Sequence, residues 1–145
     1  MKFLRLALCA LLLAGCAGTP SIDDSYSARG QSSRVQYIVL HYTSTDFTRS
    51  LALLTQGEVS AHYLIDEGPA RVYRLVDENR RAWHAGDSSW QGRTWLNAST
   101  LGIELVNQGY VEGPDKRHWQ PYDEAQIQAL IALLKDLVKR HDLPI

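Results

Sequence analysis

Cysteine is nearly absent from the 145-residue sequence. It occurs twice, at Cys9 and Cys16, so every residue from 17 onward lacks a thiol. Without thiols, that part of the chain forms no disulfide and offers neither a cysteine nucleophile nor a cysteine ligand for a metal. A chain of this length buries a core without such bonds.

The net charge is also close to zero, because the sequence has 15 Lys and Arg residues and 16 Asp and Glu residues. This balance argues against non-specific binding to nucleic acid, and we expect no nucleic-acid partner. Local catalytic motifs such as H-E-x-x-H and G-x-S-x-G are absent as well. The histidines, at residues 41, 62, 84, 118 and 141, are too far apart in the sequence to form the i, i+4 pair of a helix-borne zinc site. Any metal site must therefore be assembled from distant segments.

The first apolar run is too short to span a bilayer. Residues 6–14 are wholly apolar and follow the basic residues Lys2 and Arg5. Residues 1–15 are therefore predicted to be a secretory signal peptide. The string LAGC, which ends at Cys16, resembles the bacterial lipobox, in which the cysteine is lipidated after cleavage. An ordinary signal with an incidental cysteine is the alternative.

The residues after Cys16 extend this prediction. Ala17 and Gly18 follow the cysteine without an aspartate, which resembles outer-membrane lipoproteins that face the periplasm. Residues 16–33 are predicted to be a flexible tether, because Ser, Gly, Asp and Arg dominate there. We therefore expect a membrane partner reached through a lipid anchor, and a folded domain at residues 34–145.

A buried strand is predicted from Val35 to Thr43, since VQYIVLHYT is apolar on both alternating faces. We expect this strand to lie centrally in its sheet. His41 lies near its C-terminal end, where α/β sheets present functional groups, so it is a candidate zinc ligand or acid/base. A histidine packed in the core is the alternative.

A second strand is predicted at Leu101–Asn107, where LGIELVN alternates between two faces. Glu104 shares its face with Gly102 and Val106, at the middle of the strand. A glutamate that simply faces solvent is the alternative to a functional carboxylate.

The remaining pattern predicts helices, a hairpin and two loops. A short helix is expected after residue 46, and a long amphipathic helix at Asp123–Arg140 with Gln126 completing a capping box. We therefore expect an α/β (α+β) single domain with a central mixed β-sheet flanked by helices. The hairpin is predicted from Ala61–Asp66 and Arg71–Val76, a groove-lining loop at Ala82–Trp95 and a polar loop at Gly109–His118.

Five segments, taken in order, resemble the zinc-dependent N-acetylmuramoyl-L-alanine amidases related to phage amidase lysozymes and peptidoglycan recognition proteins. They are IVLHYT, SAHYLI, RAWHAG, LNASTLGIELVN and the long amphipathic helix. The resemblance runs from about Val35 to the end of the chain, and the lipobox makes it nearest to the lipoprotein branch. It implies a zinc enzyme that cleaves the bond between N-acetylmuramic acid and L-alanine in peptidoglycan or muropeptides.

The resemblance also implies roles for individual residues. His41 matches a zinc ligand, and Glu104 matches the carboxylate that acts as general base on zinc-activated water. His84 and Trp83 match positions near the substrate groove. Asn107 ends the strand that carries Glu104 and would hydrogen-bond either a loop or the glycopeptide.

The end of the sequence departs from the family pattern, in which a segment after the long helix supplies two further zinc ligands. Because the sequence stops at Ile145, we expect a fragment of a longer protein, with a truncated gene product as the alternative. The 145 residues alone would then lack a complete zinc site and be inactive. A second function stays open, a peptidoglycan-binding module without a metal, whose stacking residues would be Trp83, Trp90, Trp95 and Tyr63.

Overall fold

The computed structural model describes residues 19–113 and 117–144. Two compact units divide the chain, residues 1–31 and residues 32–145. The described part of the first unit is exposed and forms neither helix nor strand. Nowhere in the described ranges is there a helix long and apolar enough to cross a membrane.

The predicted signal peptide at residues 1–15 and the predicted lipidation site, Cys16, lie outside the described residues. The proposed tether at residues 16–33 overlaps the described part only from residue 19. These boundaries therefore stay predictions.

The second unit contains a mixed sheet with helices packed against it. Its elements are β1 (Tyr37–Tyr42), α1 (Phe47–Gln56), β2 (Tyr63–Ile65), β3 (Val72–Arg74), β4 (Ser89–Trp90), β5 (Arg93–Thr94), β6 (Thr100–Leu105), β7 (Tyr110–Glu112), β8 (Arg117–Trp119) and α2 (Glu124–His141). The main sheet has the order β1-β6-β2-β3. Strands β1 and β2 run parallel to β6, whereas β3 runs antiparallel to β2. The predicted fold class is thereby confirmed.

Strand β1 occupies an edge of the sheet that the described residues form, and β6 lies between β1 and β2. The prediction that β1 lies centrally is therefore wrong for this sheet. Leu40 and Tyr42, which share one face of β1, are 49% and 41% exposed. An apolar run indicates contacts above and below a strand, but it does not specify the hydrogen-bonded neighbours in the plane of the sheet.

Each face of the sheet packs against a different helix. Side chains of β6 at Leu101, Ile103 and Leu105 join the larger core cluster, together with Leu130 and Leu137 of α2. The other face of the sheet contributes to a smaller cluster with α1, formed by Leu54, Ala61, Leu64 and Val106. The predicted alternation along this strand is confirmed, because odd-numbered and even-numbered residues point to different layers.

Both predicted helices are present, and their caps differ. Asp46 begins α1, and its side chain accepts a hydrogen bond of 2.9 Å from the backbone N–H of Arg49. At α2, the N-cap residue Asp123 makes no side-chain cap bond within the described residues. Gln126 is buried and donates from Nε2 to the carbonyl oxygens of Ile65 and Val106 instead of completing a capping box. It thereby attaches the start of α2 to the ends of β2 and β6.

The predicted hairpin is confirmed as β2 and β3, but the two predicted loops also contain strands. Strands β4 and β5 form a small hairpin through Gln91 and Gly92, whose φ angles are 48° and 79°. Two positive φ angles in a two-residue turn match the twist of flanking strands. The second loop contains the hairpin of β7 and β8. Strands of two or three residues are too short to show an alternation of polar and apolar residues. The turn-forming residues in these segments therefore led to the prediction of loops.

Candidate active site

Two side chains with acid–base or metal-binding chemistry lie beside each other on neighbouring strands. His41 of β1 is in register with Glu104 of β6. Hydrogen-bonded strands lie about 4.8 Å apart, so the two backbones are close together. Because paired residues of parallel strands project to the same face, both side chains are directed to the α1 side. The sheet therefore brings together the two residues that the resemblance identified, from distant segments of the chain.

The carboxyl group of Glu104 lies in an environment that disfavours its charged form. Its Oε2 atom is buried and has no hydrogen-bond partner among the described residues. Burial raises the pKa of Glu104 to about 7. The alternative of a solvent-facing glutamate therefore does not apply. A carboxyl group with this pKa can accept and return a proton near neutral pH.

A cleft of about 130 Å³ opens beside Glu104 and α1. Its lining includes the hydroxyl-bearing residues Thr43, Thr45 and Ser50. A space of this size accommodates several water molecules, each of which needs polar partners such as these hydroxyl groups. The cleft therefore gives water access to a carboxyl group that is itself poised to take up a proton.

His41 is held on one side by a second histidine. Its Nε2 lies 3.0 Å from Nδ1 of His84, and Nε2 of His84 lies 3.0 Å from Oγ1 of Thr100. Burial lowers the pKa of His41. Burial, followed by the nearby His41 and His62, lowers the pKa of His84 to about 4. Both rings are therefore neutral near pH 7, and neutral imidazole is the form that ligates metals.

His62 is the packed core histidine of this region. Its side chain is fully buried, its Nδ1 accepts the backbone N–H of Gly102 at 3.0 Å, and its Nε2 donates to the carbonyl oxygen of Arg80 at 3.2 Å. Both ring nitrogens are thus occupied, and His62 has none left for a ligand. The core alternative that the sequence raised for His41 fits His62.

The residues predicted to bind substrate lie in different environments. Trp83 is 58% exposed. Asn107 is buried, with Oδ1 accepting the backbone N–H of Gly109 at 2.7 Å and Nδ2 donating to the carbonyl oxygen of Gln120 at 3.3 Å. Its amide therefore holds the following loop, one of the two options given by the sequence. The ring of His84 is engaged by protein atoms at both nitrogens, and its contact with substrate stays a prediction.

The unengaged atoms at and beside His41 are compatible with part of a metal site. The hydrogen bonds of the described residues leave Nδ1 of His41 unengaged, and the unpartnered oxygen of Glu104 belongs to the neighbouring strand. Within the described residues, no group of three His, Cys, Asp or Glu side chains lies close enough to hold a metal. Since catalytic zinc takes three protein ligands, these residues can contribute one imidazole ligand.

Two residues that support His84 were not identified from the sequence. Thr100 provides its hydrogen-bond partner, and Gly102 provides the space for its ring. A Cβ atom on Gly102 would lie 2.6 Å from Cδ2 and 2.7 Å from Nδ1 of His84. Glycine inside a strand signals a close approach of this kind, so Gly102 carried a readable signal. Nothing in the sequence around Thr100 distinguished its hydroxyl group.

Comparisons with known proteins agree on one family. The family model for N-acetylmuramoyl-L-alanine amidase matches residues 31–145. The N-acetylmuramoyl-L-alanine amidase AmiD of Escherichia coli is 42% identical over 156 aligned residues, covering 98% of this chain and 56% of the relative. The 1,6-anhydro-N-acetylmuramyl-L-alanine amidase AmpD of Haemophilus influenzae is 39% identical over 90 residues, covering 62% of this chain and 44% of the relative.

Solved structures show the same fold. The complex of Escherichia coli AmiD with anhydro-N-acetylmuramic acid-L-Ala-D-γ-Glu-L-Lys superposes with a TM-score of 0.76 at 41% identity, covering 85% of this chain and 50% of that chain. The crystal structure of AmpDh3 from Pseudomonas aeruginosa gives a TM-score of 0.74 at 38% identity, covering 86% of this chain and 53% of that chain. The chain thus spans about half the length of these relatives.

Proposed function

The chain belongs to the N-acetylmuramoyl-L-alanine amidase family, and we propose that it hydrolyses the amide bond between N-acetylmuramic acid and L-alanine in peptidoglycan or muropeptides. The observation that carries the proposal is Glu104, whose buried Oε2 has no hydrogen-bond partner among the described residues and which is in register with His41. A fold gains nothing from such a group, which supports a chemical role.

The reaction adds water across an amide. A water molecule attacks the carbonyl carbon of the lactyl group while Glu104 accepts one of its protons. The bond from that carbon to the nitrogen of L-alanine then breaks, and Glu104 returns the proton to the leaving nitrogen. The products are a muramic acid carboxylate and a peptide with a free amino group.

Zn²⁺ is the proposed cofactor, with His41 as one of its ligands. Bound zinc supplies positive charge that polarises the carbonyl group and lowers the pKa of water. The protein's own contribution is to keep His41 neutral through burial and to place Glu104 beside it on the next strand. The cleft next to Glu104 would admit the water that this carboxyl group deprotonates.

Substrate binding is assigned to exposed tryptophan side chains. Trp83, Trp90 and Trp95 are 58%, 59% and 66% exposed. Exposed indole rings stack on sugar faces and on peptide groups, and they lose little conformational freedom in doing so. His84 and Asn107 would contribute indirectly, by supporting His41 and the adjoining loop.

The proposed place of action is the bacterial cell envelope, with the protein anchored to the outer membrane through lipid on Cys16 and facing the periplasm. A single acyl chain binds membranes only marginally, so stable anchoring requires several chains on this cysteine. Membrane fractionation of Cys16→Ser tests the anchor. The variant should move to the soluble periplasmic fraction, and unchanged membrane retention would reject the lipid anchor.

Product analysis tests the proposed reaction. The natural-length protein is incubated with anhydro-N-acetylmuramic acid-L-Ala-D-γ-Glu-L-Lys in water enriched in ¹⁸O, and the products are resolved by mass spectrometry. We expect the label in the carboxylate of the muramic acid and none in the peptide. Cleavage at any other bond, or no cleavage by a folded and zinc-supplied protein, would overturn the assignment.

A peptidoglycan-binding module is the second candidate function. The exposed rings of Trp83, Trp90 and Trp95 favour it, because each could stack on glycopeptide whether or not a metal site is complete. Calorimetry with the same muropeptide distinguishes the candidates. Binding without turnover in the presence of zinc would favour the module, whereas turnover with release of a free peptide amine would favour the enzyme.

A further inference from the structure

We propose that Thr100 and His84 are positioning residues that hold the proton of His41 on Nε2 and leave its Nδ1 as the nitrogen available to the site. The importance of this arrangement for metal binding rests on the proposed function. The arrangement itself is a property of the protein alone, and it follows from the hydrogen bonds among three side chains.

The direction of the hydrogen bonds is set at Thr100. Its Oγ1 lies 2.7 Å from the carbonyl oxygen of Leu96, which can only accept. The single hydroxyl proton must therefore point at Leu96. Oγ1 is then left as an acceptor toward Nε2 of His84 at 3.0 Å, so this nitrogen of His84 must carry a proton.

The same logic continues to His41. A neutral imidazole that is protonated at Nε2 has a bare Nδ1, which can only accept. Nδ1 of His84 lies 3.0 Å from Nε2 of His41, so Nε2 of His41 must be the donor. His41 then carries its proton on Nε2, and its Nδ1 holds a free lone pair. A hydrogen bond that fixes the tautomer in this way orients the ring and raises its basicity as a ligand.

The packing around His84 keeps its ring in the required place. Gly102 lies directly beneath the ring, and no larger residue fits there because a Cβ would lie 2.6 Å from Cδ2 of His84. The ring of His62 also meets that of His84 edge to face, with centroids 5.8 Å apart. His62 makes its own two hydrogen bonds to the backbone, so it packs against His84 without competing for Thr100 or His41.

Nuclear magnetic resonance of ¹⁵N-histidine-labelled, metal-free protein tests the inference. The natural-length protein at neutral pH should show His84 and His41 each protonated at Nε2 and bare at Nδ1. Thr100→Val removes the acceptor and should speed solvent exchange of both ring protons by roughly fivefold, the worth of one hydrogen bond. Thr100→Ser keeps the hydroxyl group and should restore slow exchange.

An internal reference and a matched variant control the measurement. The ring proton of His62, which is bound to the carbonyl oxygen of Arg80, should be unchanged in every variant and reports that the fold is intact. Thr55→Val is the matched control, because the hydroxyl of Thr55 also donates to the carbonyl four residues earlier, at 2.7 Å, but on the exposed part of α1. A proton on Nδ1 of His84 or His41 would overturn the proposal, as would Thr100→Val with unchanged exchange at both rings.

Zinc titration provides the second readout. The dissociation constant of zinc should rise about 10- to 100-fold in Thr100→Val and stay near the parent value in Thr100→Ser and Thr55→Val. If the parent binds no zinc, the proposed cofactor is wrong while the exchange data still decide the tautomers. If Thr100→Val does not fold, the tautomers of the parent decide the proposal, because a proton on either Nδ1 rejects it.

Discussion

Glu104 holds a carboxyl group in a place where the surrounding residues do not stabilise its charge. Its raised pKa means that the folded protein binds this proton more tightly than the unfolded chain does. Ionisation at neutral pH therefore costs stability. The cost is understandable if Glu104 acts as a base, because a carboxylate stabilised by strong hydrogen bonds would be a weaker proton acceptor.

Removing the charge of Glu104 should raise the stability of the metal-free protein at neutral pH. The pKa of Glu104 rises from an ordinary value of 4.5 to about 7 on folding, so its contribution to stability falls as pH rises from 4.5 to 7 and stays low above that range. Metal-free Glu104→Gln should therefore melt a few °C above the parent when pH exceeds 7, and the difference should vanish below pH 4.5. Thermal melts across this range measure it. A variant that is less stable than the parent above pH 7 would show that the carboxylate supports the fold.

Substitution of Gly102 should lower both stability and zinc affinity, for a steric reason. Gly102→Ala places a methyl group against the ring of His84, and overpacking of this kind costs about 1–3 kcal/mol. The ring must also move away from His41 and Thr100, so zinc affinity should fall about 10-fold or more. Gly30→Ala is the control, because a Cβ there meets no atom within 4 Å. Equal melting temperatures and zinc affinities in the two variants would show that the space above Gly102 has no role.

Helix α2 is attached to the sheet by a charged cluster at its C-terminal end. Glu78 accepts hydrogen bonds from Arg140 at 2.5 and 2.8 Å, from His141 at 2.6 Å and from the hydroxyl group of Tyr63 on β2. The side chain of Glu78 is only 11% exposed. These bonds, that of Arg140 first, lower the pKa of Glu78 to about 2 despite the opposing effect of burial. The cluster therefore fixes the end of α2 that lies far from Gln126.

The cluster predicts acid-dependent loosening of α2. A carboxylate whose pKa falls from 4.5 to about 2 on folding gives stability that is complete above pH 4.5 and is lost as pH falls toward 2. Glu78→Gln should lower the free energy of unfolding by roughly 1–2 kcal/mol at neutral pH, and the loss should shrink below pH 4.5. Chemical denaturation at several pH values measures it.

Asp136→Asn is the control for this experiment. Asp136 contacts the same arginine, Arg140, at 2.8 Å, but its side chain is 56% exposed. Such a surface pair contributes little, so the variant should lose less than about 0.5 kcal/mol. Equal losses in the two variants would contradict the central role given to Glu78.

The sequence predicted single elements better than their arrangement. The long helix was expected at residues 123–140 and runs from Glu124 to His141, because its apolar spacing is regular over several turns. The alternation of β6 was read correctly for the same reason. The edge position of β1 was not predicted, since neighbours in a sheet depend on contacts between distant segments. The register of His41 with Glu104 has the same origin, and the family resemblance assigned both residues to one site without predicting that they pair.

The candidate site combines residues from three separate stretches of the chain. His41 comes from β1, His84 from the segment before β4, and Thr100 and Glu104 from β6. The sequence therefore proposed candidate residues where strand position indicated one, as at His41, or where the family resemblance did, as at Glu104. Thr100 was missed because a threonine beginning a strand is ordinary until its partner is known. Its importance depends on the geometry of the fold.

The roles proposed for His41 as zinc ligand and Glu104 as general base can be measured directly in the natural-length protein. For each variant, tightly held zinc per chain is determined after dialysis, alongside the rate of muropeptide hydrolysis. Glu104→Gln should keep its zinc and lose roughly 10²- to 10⁴-fold in rate, the usual worth of a positioned acid–base group. His41→Ala should lose both zinc and activity, and Glu58→Gln, an exposed glutamate next to α1, should change neither. Hydrolysis by Glu104→Gln within a few-fold of the parent would contradict the assignment of Glu104 as the base, and full zinc retention by His41→Ala would contradict its assignment as a ligand.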